Sequence, residues 1–208
     1  MRDTLSTSRL TLVLAAERLV AERGLHGVHA SEVVKAAGHR NNSAITYHFG
    51  SWENLLVTVW ELHTVPVNAA RADAVAAARA AGSYTLVAMV RAYVRPLVDE
   101  VGRHRPSYWA RFNEQWLATL PLDIFALDAA ETARQPHTES LTVVHELFAD
   151  MADALIWVVP ELRRRRVAMM ARFVIGALAA WEREPEAARL DELGDELVAL
   201  ALGLLTAR

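Results

Sequence analysis

From Arg40 to His48 the chain reads Arg-Asn-Asn-Ser-Ala-Ile-Thr-Tyr-His, a run in which most side chains end in a hydrogen-bonding group. Asn and Ser can bond base edges or phosphates, the methyls of Thr and Ala can meet a thymine methyl, and Tyr and His can reach phosphate oxygens. This is recognition by hydrogen bonding rather than by bulk charge. Between Met1 and His63 the cations Arg2, Arg9, Arg18, Arg23, Lys35 and Arg40 are matched by Asp3, Glu17, Glu22, Glu32, Glu53 and Glu61, so the segment is formally neutral. The net charge of −3 over 208 residues argues against indiscriminate coating of nucleic acid or membrane. A second set is aromatic. Trp109, Phe112 and Trp116 fall on one helical stripe, with Tyr108 and Asn113 beside it. An apolar cavity with a few polar groups makes a small-molecule site, and the same stripe also suits an ordinary core. Tyr93 and Phe148 are further candidates for that lining.

Other chemistries are excluded or lack their parts. Cys is absent, which removes disulfides, thiolate metal sites and cysteine nucleophiles and suits a reducing cytoplasm. Eight His invite a metal or hydrolase reading, yet there is no His-Glu-x-x-His, no Gly-x-Ser-x-Gly and no Gly-rich phosphate loop. Neither a metal site, nor a cofactor, nor an enzyme is expected. The polar start from Met1 to Arg9 lacks a signal-peptide core. The longest apolar stretch, Val167 to Trp181, carries Arg172, so no membrane association is expected.

The elements that position these residues are helices, because apolar residues recur with helical period and strand alternation is missing. Leu12, Ala15, Ala16 and Leu19 mark a buried face on a helix from Arg9 to Arg23, stopped by Gly24. A short helix from Ala30 to Ala37 ends at Gly38, a polar turn follows, and a second short helix runs from Ser43 to His48. Two short helices joined by a tight turn behind a supporting helix form a helix-turn-helix, whose later helix enters the major groove. Ser51 then caps a helix expected to stop before Pro66. That places an N-terminal DNA-binding unit over 1–65 and a second helical unit over 66–208. In the latter, Gly and Pro punctuation predicts helices Val67–Ala81, Tyr84–Val101 with a kink at Pro96, Ser107–Thr119, Asp123–Arg134, Glu139–Val159, Leu162–Glu184 and Ala187–Thr206.

In order and spacing, Leu19, Glu22 and Gly24, then Val33, Ala37 and Gly38, then Ala44, Ile45, Tyr47, His48, Phe49, Ser51, Glu53, Leu55 and Leu56 make the N-terminal segment resemble the TetR family of transcriptional regulators. The resemblance covers about the first quarter to third of the chain. It implies that Thr46, Tyr47 and His48 touch DNA, with Arg40, Asn42, Ser43 and Ala44 nearest the bases. The departures are His29 at a position normally held by a Thr or Ser cap, and a turn from Gly38 to Ser43 one residue longer than usual. The longer turn leaves open which of Arg40, Asn41 and Asn42 faces DNA. Trp52 stands where a phosphate-facing Lys is common, its indole N–H still able to donate one bond.

The resemblance further implies an all-α homodimer whose C-terminal unit senses a small molecule through the aromatic set, and which most often acts as a repressor released from a near-palindromic operator. A single helix-turn-helix reads too few base pairs, so two heads must be held together. The helices around Val144, Met151 and Leu155 and around Met170, Val174, Leu178 and Trp181 are apolar over much of their girth and are expected to form that dimer interface. Two alternatives stay open: a helical protein-interaction module, and a helical-bundle enzyme, which would need a catalytic set the sequence lacks.

Overall fold

The computed structural model describes residues 5–41, 43–120, 122, 138–186 and 188–207. The described residues form nine α-helices and no strand. Helix α1 (Thr7–Arg23) starts two residues ahead of expectation because Ser6 caps it, Oγ accepting from the Arg9 N–H at 3.4 Å. The next helix, α2 (Ala30–Ala36), starts at Ala30 as expected, with His29 as its N-cap residue. The Glu32 carboxylate accepts from the His29 N–H at 2.9 Å and binds Arg23 at 2.8 Å, the reciprocal half of a capping box. Gly38, at φ +76°, then turns the chain through a left-handed conformation into α3 (Ala44–Phe49).

Helix α4 (Trp52–Ala80) corrects the expected break at Pro66: it is one rod of 29 residues running straight through that proline. Pro66 removes one backbone bond at a cost of about 3 kcal/mol. On its N-terminal side Leu55, Leu56 and Val59 enter a small core with α1, α2 and α3, while Val67 enters the large core beyond. Each such buried side chain contributes about 1.5–3 kcal/mol, so together they outweigh the proline. The small core thus gives way to the large one within a continuous helix.

The large core is built by α5 (Leu86–Gly102), α6 (Trp109–Ala118), α7 (Thr138–Ala154), α8 (Pro160–Arg183) and α9 (Leu190–Thr206). Helix α5 continues through the buried Pro96. Helix α7 stops at Ala154, five residues short of expectation, because the chain turns at Leu155 and Arg163 Nε ties down the Val158 carbonyl at 2.8 Å. Pro160 begins α8 rather than preceding it, as suits a residue with no N–H to leave unpaired. Helix α9 approaches α5 closely at Gly194, where an added Cβ would stand 3.2 Å from a Val98 methyl. The expected helix Asp123–Arg134 lies outside the described residues.

Helix α6 is held at both ends by α8. At its start the buried Glu182 carboxylate accepts from Ser107 Oγ at 2.6 Å and from the backbone N–H groups of Ala110 and Arg111 at 3.0 and 2.9 Å. At its end Arg172 donates to the carbonyls of Leu117 and Leu120 at 2.7 and 2.9 Å. An anion thus sits at the positive end of the helix and a cation at its negative end. Because Glu182 draws Ser107 out of line, α6 begins at Trp109 rather than at Ser107.

The residues expected at a dimer interface are a correction. Val144, Met151, Leu155, Met170, Val174 and Leu178 are all buried within one chain, and Trp181 is half-buried with its indole N–H on the Ala188 carbonyl at 2.8 Å. The apolar girth of the six buried side chains is covered by neighbouring helices of the same chain, and only Trp181 keeps part of its surface exposed.

Replacing Glu182 by Ala strands three donors where water is scarce. The expected loss is on the order of 3 kcal/mol, read from denaturant unfolding. A loss below about 0.5 kcal/mol, the level of an ordinary surface substitution, would show that α6 is held otherwise.

Candidate functional site

The helix-turn-helix divides cleanly by face. On α3, Ile45 and Phe49 are buried in the small core, while Thr46 stands in solvent and Tyr47 is 83% exposed. Ala44, expected near the bases, is a correction: at 6% exposure it is buried in the small core together with Ile45 and Phe49. His48 is half-buried and meets the rings of Tyr47 and His39 edge-on, with centroids 4.9 and 6.2 Å away. Arg40, Asn41 and Ser43 are exposed. The Asn41 side-chain oxygen is engaged locally by the Ser43 N–H at 2.9 Å, which shapes the longer turn. Asn42 lies outside the described residues. Trp52 is half-buried against the small core and so serves packing as well as surface. Ser51 Oγ accepts from the Asn54 N–H at 3.1 Å and Asn54 Nδ2 donates to the Phe49 carbonyl at 2.9 Å, locking α3 onto α4.

The neutral charge count hides a local asymmetry. Glu17 is buried, Glu32 is bound to Arg23, and Glu22 lies 4.0 Å from Arg18. Lys35 and Arg40, flanking the turn, remain exposed and in no ion pair within the described chain.

Where the small core meets the large one, His63 of α4 is buried between two carboxylates. Its Nδ1 lies 2.8 Å from Glu100 Oε1 on α5, and its Nε2 lies 3.1 Å from Glu17 Oε1 on α1. Trp109 covers the ring at 5.4 Å, and Arg103 adds a cation 2.8 Å from Glu100 Oε2. Burial opposes protonation of His63, but the bonds to Glu100 and Glu17 outweigh it and raise its pKa to about 9. Glu100, though burial pushes the other way, is held below the usual carboxylate range by His63. With His104 these residues bring ligand atoms within 4.8 Å of one another, the one such group among the described residues that could hold a metal. Both ring nitrogens of His63 face carboxylates, so a metal bound there would have to displace a proton from the ring. A groove of about 400 Å³, lined by Thr11, Arg18, His63, His104 and Tyr108, opens beside it.

The residues expected to line a ligand site separate into two places. Tyr93 and Phe148 meet in the large core with ring centroids 5.2 Å apart, and Trp109 is buried there too. Phe112 and Trp116 instead stack at 6.3 Å against the small core, joining α6 to α1. Tyr108 is half-buried under the Arg111 guanidinium, and Asn113 is buried with its Oδ1 unpartnered. Among the described residues Thr64 Oγ1 and Trp109 Nε1 likewise have no hydrogen-bond partner. Sequence reasoning missed Arg71 altogether. It is 4% exposed, and burial lowers its pKa to about 10, which still leaves it charged at neutral pH. The signal was present: Val59, His63, Val67 and Arg71 lie four residues apart on one line of α4, and a cation on a buried line asks for a reason.

The family described as bacterial regulatory proteins, tetR family, matches residues 12–59. No curated protein matches the sequence. Among solved structures, the fatty acid degradation regulator FadR from Bacillus halodurans aligns over 99% of this chain and 100% of its own, at 18% identity and a TM-score of 0.53. The TetR family transcriptional regulator PfmR from Thermus thermophilus covers 98% of both chains at 17% and 0.55. FadR from Bacillus subtilis, in complex with stearoyl-CoA, covers 96% of this chain and 98% of its own at 14% and 0.54. At these identities the likeness is one of fold, and it extends over the whole chain.

The His63 cluster makes stability depend on pH. Its folded pKa lies above the ordinary value of 6.5, so the stabilisation is complete below pH 6.5 and is lost as pH rises through about 9. At about 1.4 kcal/mol per pK unit the expected decline is on the order of 3 kcal/mol. Denaturant unfolding at stepped pH checks this, and His63→Gln should flatten the profile over that window.

Proposed function

We propose that the chain, whose residues 12–59 match the bacterial regulatory proteins of the tetR family, is a ligand-responsive transcriptional repressor that leaves a near-palindromic operator when a small apolar or amphipathic molecule enters its helical body. The observation that carries this reading is α3, whose buried inner face fixes it on the head while Thr46 and Tyr47 stand in solvent with polar groups free for DNA. In this reading Arg40, Asn41, Ser43 and His48 flank the contact, the division between reading head and sensing body falls at 65/66, and the protein acts in the cytoplasm. No helix of the described residues is long and apolar enough to cross a membrane. Its fold neighbours named above are regulators rather than enzymes, and the Bacillus subtilis one holds stearoyl-CoA, an amphipathic ligand.

Two heads must be held at half-sites about 34–36 Å apart. The faces available for this are the outward ones of α8 and α9. There Leu162, Met169, Phe173, Leu200 and Leu204 are exposed apolar side chains, and a groove of about 290 Å³ runs between the two helices beside Arg165 and Arg166. Paired with a second copy, they would form an isologous four-helix interface.

Selection of bound duplexes from random DNA tests the function, and absence of any sequence preference at moderate salt would refute it. On the selected duplex, Tyr47→Phe and Thr46→Ala should each weaken binding, by about 1–3 kcal/mol where a base is read. The near-neutral head should give a shallow salt dependence. Light scattering at micromolar concentration should report a dimer. Phe173→Glu should yield monomers with folded heads and lost operator binding.

A further inference from the structure

We propose that Arg71 is the anchor for the carboxylate head of an acidic, otherwise apolar effector, lodged where α4, α5 and α7 meet. The proposal rests on the effector-controlled reading above and assigns the effector's chemical class. The other deeply buried charges of the described chain have partners of opposite sign: Glu17 and Glu100 share His63, and Glu182 lies 3.6 Å from Arg111. Arg71 is the exception. Its Nη1 donates to Asn68 Oδ1 at 2.6 Å, its Nη2 to the Tyr93 carbonyl at 3.5 Å, and its guanidinium lies 4.6 Å from the centre of the Tyr93 ring. All three partners are neutral. Among the described residues no carboxylate lies within ion-pair distance and Nε has no partner.

Removing a guanidinium from water without a counter-charge is costly, and neutral acceptors and an aromatic face return only part of that cost. Such a group is explained when its counter-charge arrives from outside the chain. The free hydrogen-bonding capacity defines the guest. Nε is unused and Nη2 is only weakly engaged. Those two N–H groups form the parallel edge that a planar two-oxygen anion bridges. The rings of Tyr93 and Phe148 beside it are apolar, so the remainder of the guest is hydrocarbon. Asn68, one turn away, holds the guanidinium from the opposite side and orients it.

Intrinsic tryptophan emission of the full-length protein, titrated below micellar concentrations with dodecanoate, dodecanol and dodecyl phosphate, tests this. Dodecanoate should bind at least tenfold more tightly than dodecanol. Arg71→Gln should erase the difference, and Arg71→Lys should keep part of it. A folded-state readout separates anchoring from support. Without ligand, Arg71→Met should melt no lower than the wild type, and dodecanoate should raise the wild-type Tm but not that of the variant. Equal binding of acid and alcohol, no binding of dodecanoate at millimolar concentration, tighter binding of the phosphate, or a lowered Tm for unliganded Arg71→Met would each overturn the assignment. If the alcohol alone released the selected duplex, the regulator would stand and the acid specificity would fall. If no duplex were selected at all, the regulator reading would fall, while the acid preference would still be read by fluorescence.

Discussion

The structure depends on the grip of α8 on α6. A ten-residue helix is marginal alone, since its nucleation is unfavourable and its terminal N–H and C=O groups go unpaired. Glu182 and Arg172, ten residues apart on one neighbouring helix, satisfy the two ends of α6 with charges matched to its dipole. Everything between them is then fixed in position: Trp109 over His63, and Phe112 inside the core of the reading head. A movement of α8 therefore reaches the head through α6 without passing through any loop.

Buried charge follows two different rules in the molecule. At the joint, His63 shares its protons with carboxylates from α1 and α5, so the cluster is close to neutral and binds three helices together. In the interior of the body, Arg71 has only neutral partners among the described residues. The first arrangement is what stability favours, and the second opposes it. Stability is sacrificed where a site must receive something, and the contrast between two residues on one line of the same helix separates architecture from function.

The sequence was most legible where local chemistry decides. The helix-turn-helix, its Gly38 turn and the Ser51 cap were all readable because caps and left-handed turns need particular residue types. The family match over residues 12–59 and the fold likeness over the whole chain agree with that reading. Where tertiary contacts override local rules it was misleading. Pro66 announces a break that burial on both sides prevents, and Val174 and Leu178 look like interface although neighbouring helices of the same chain cover them. Phe112 and Trp109 share a stripe, but the stripe is split between two cores, which no one-dimensional period can express. The pairing of Glu17, His63 and Glu100 spans three helices and was hidden for the same reason.

The unbroken course of α4 turns an angular change into a linear one. Trp52 lies fourteen residues from Pro66, roughly 21 Å along the axis at about 1.5 Å per residue. The proline leaves the Leu62 carbonyl without its helical donor, so this is the softest point of the rod. A swing of about 10° there carries the tip through roughly 4 Å, and two mirrored swings in a paired assembly change the gap between heads by up to about 7 Å. In the proposed dimer, a displacement of that size would shift the recognition helices against a groove repeat of about 34 Å.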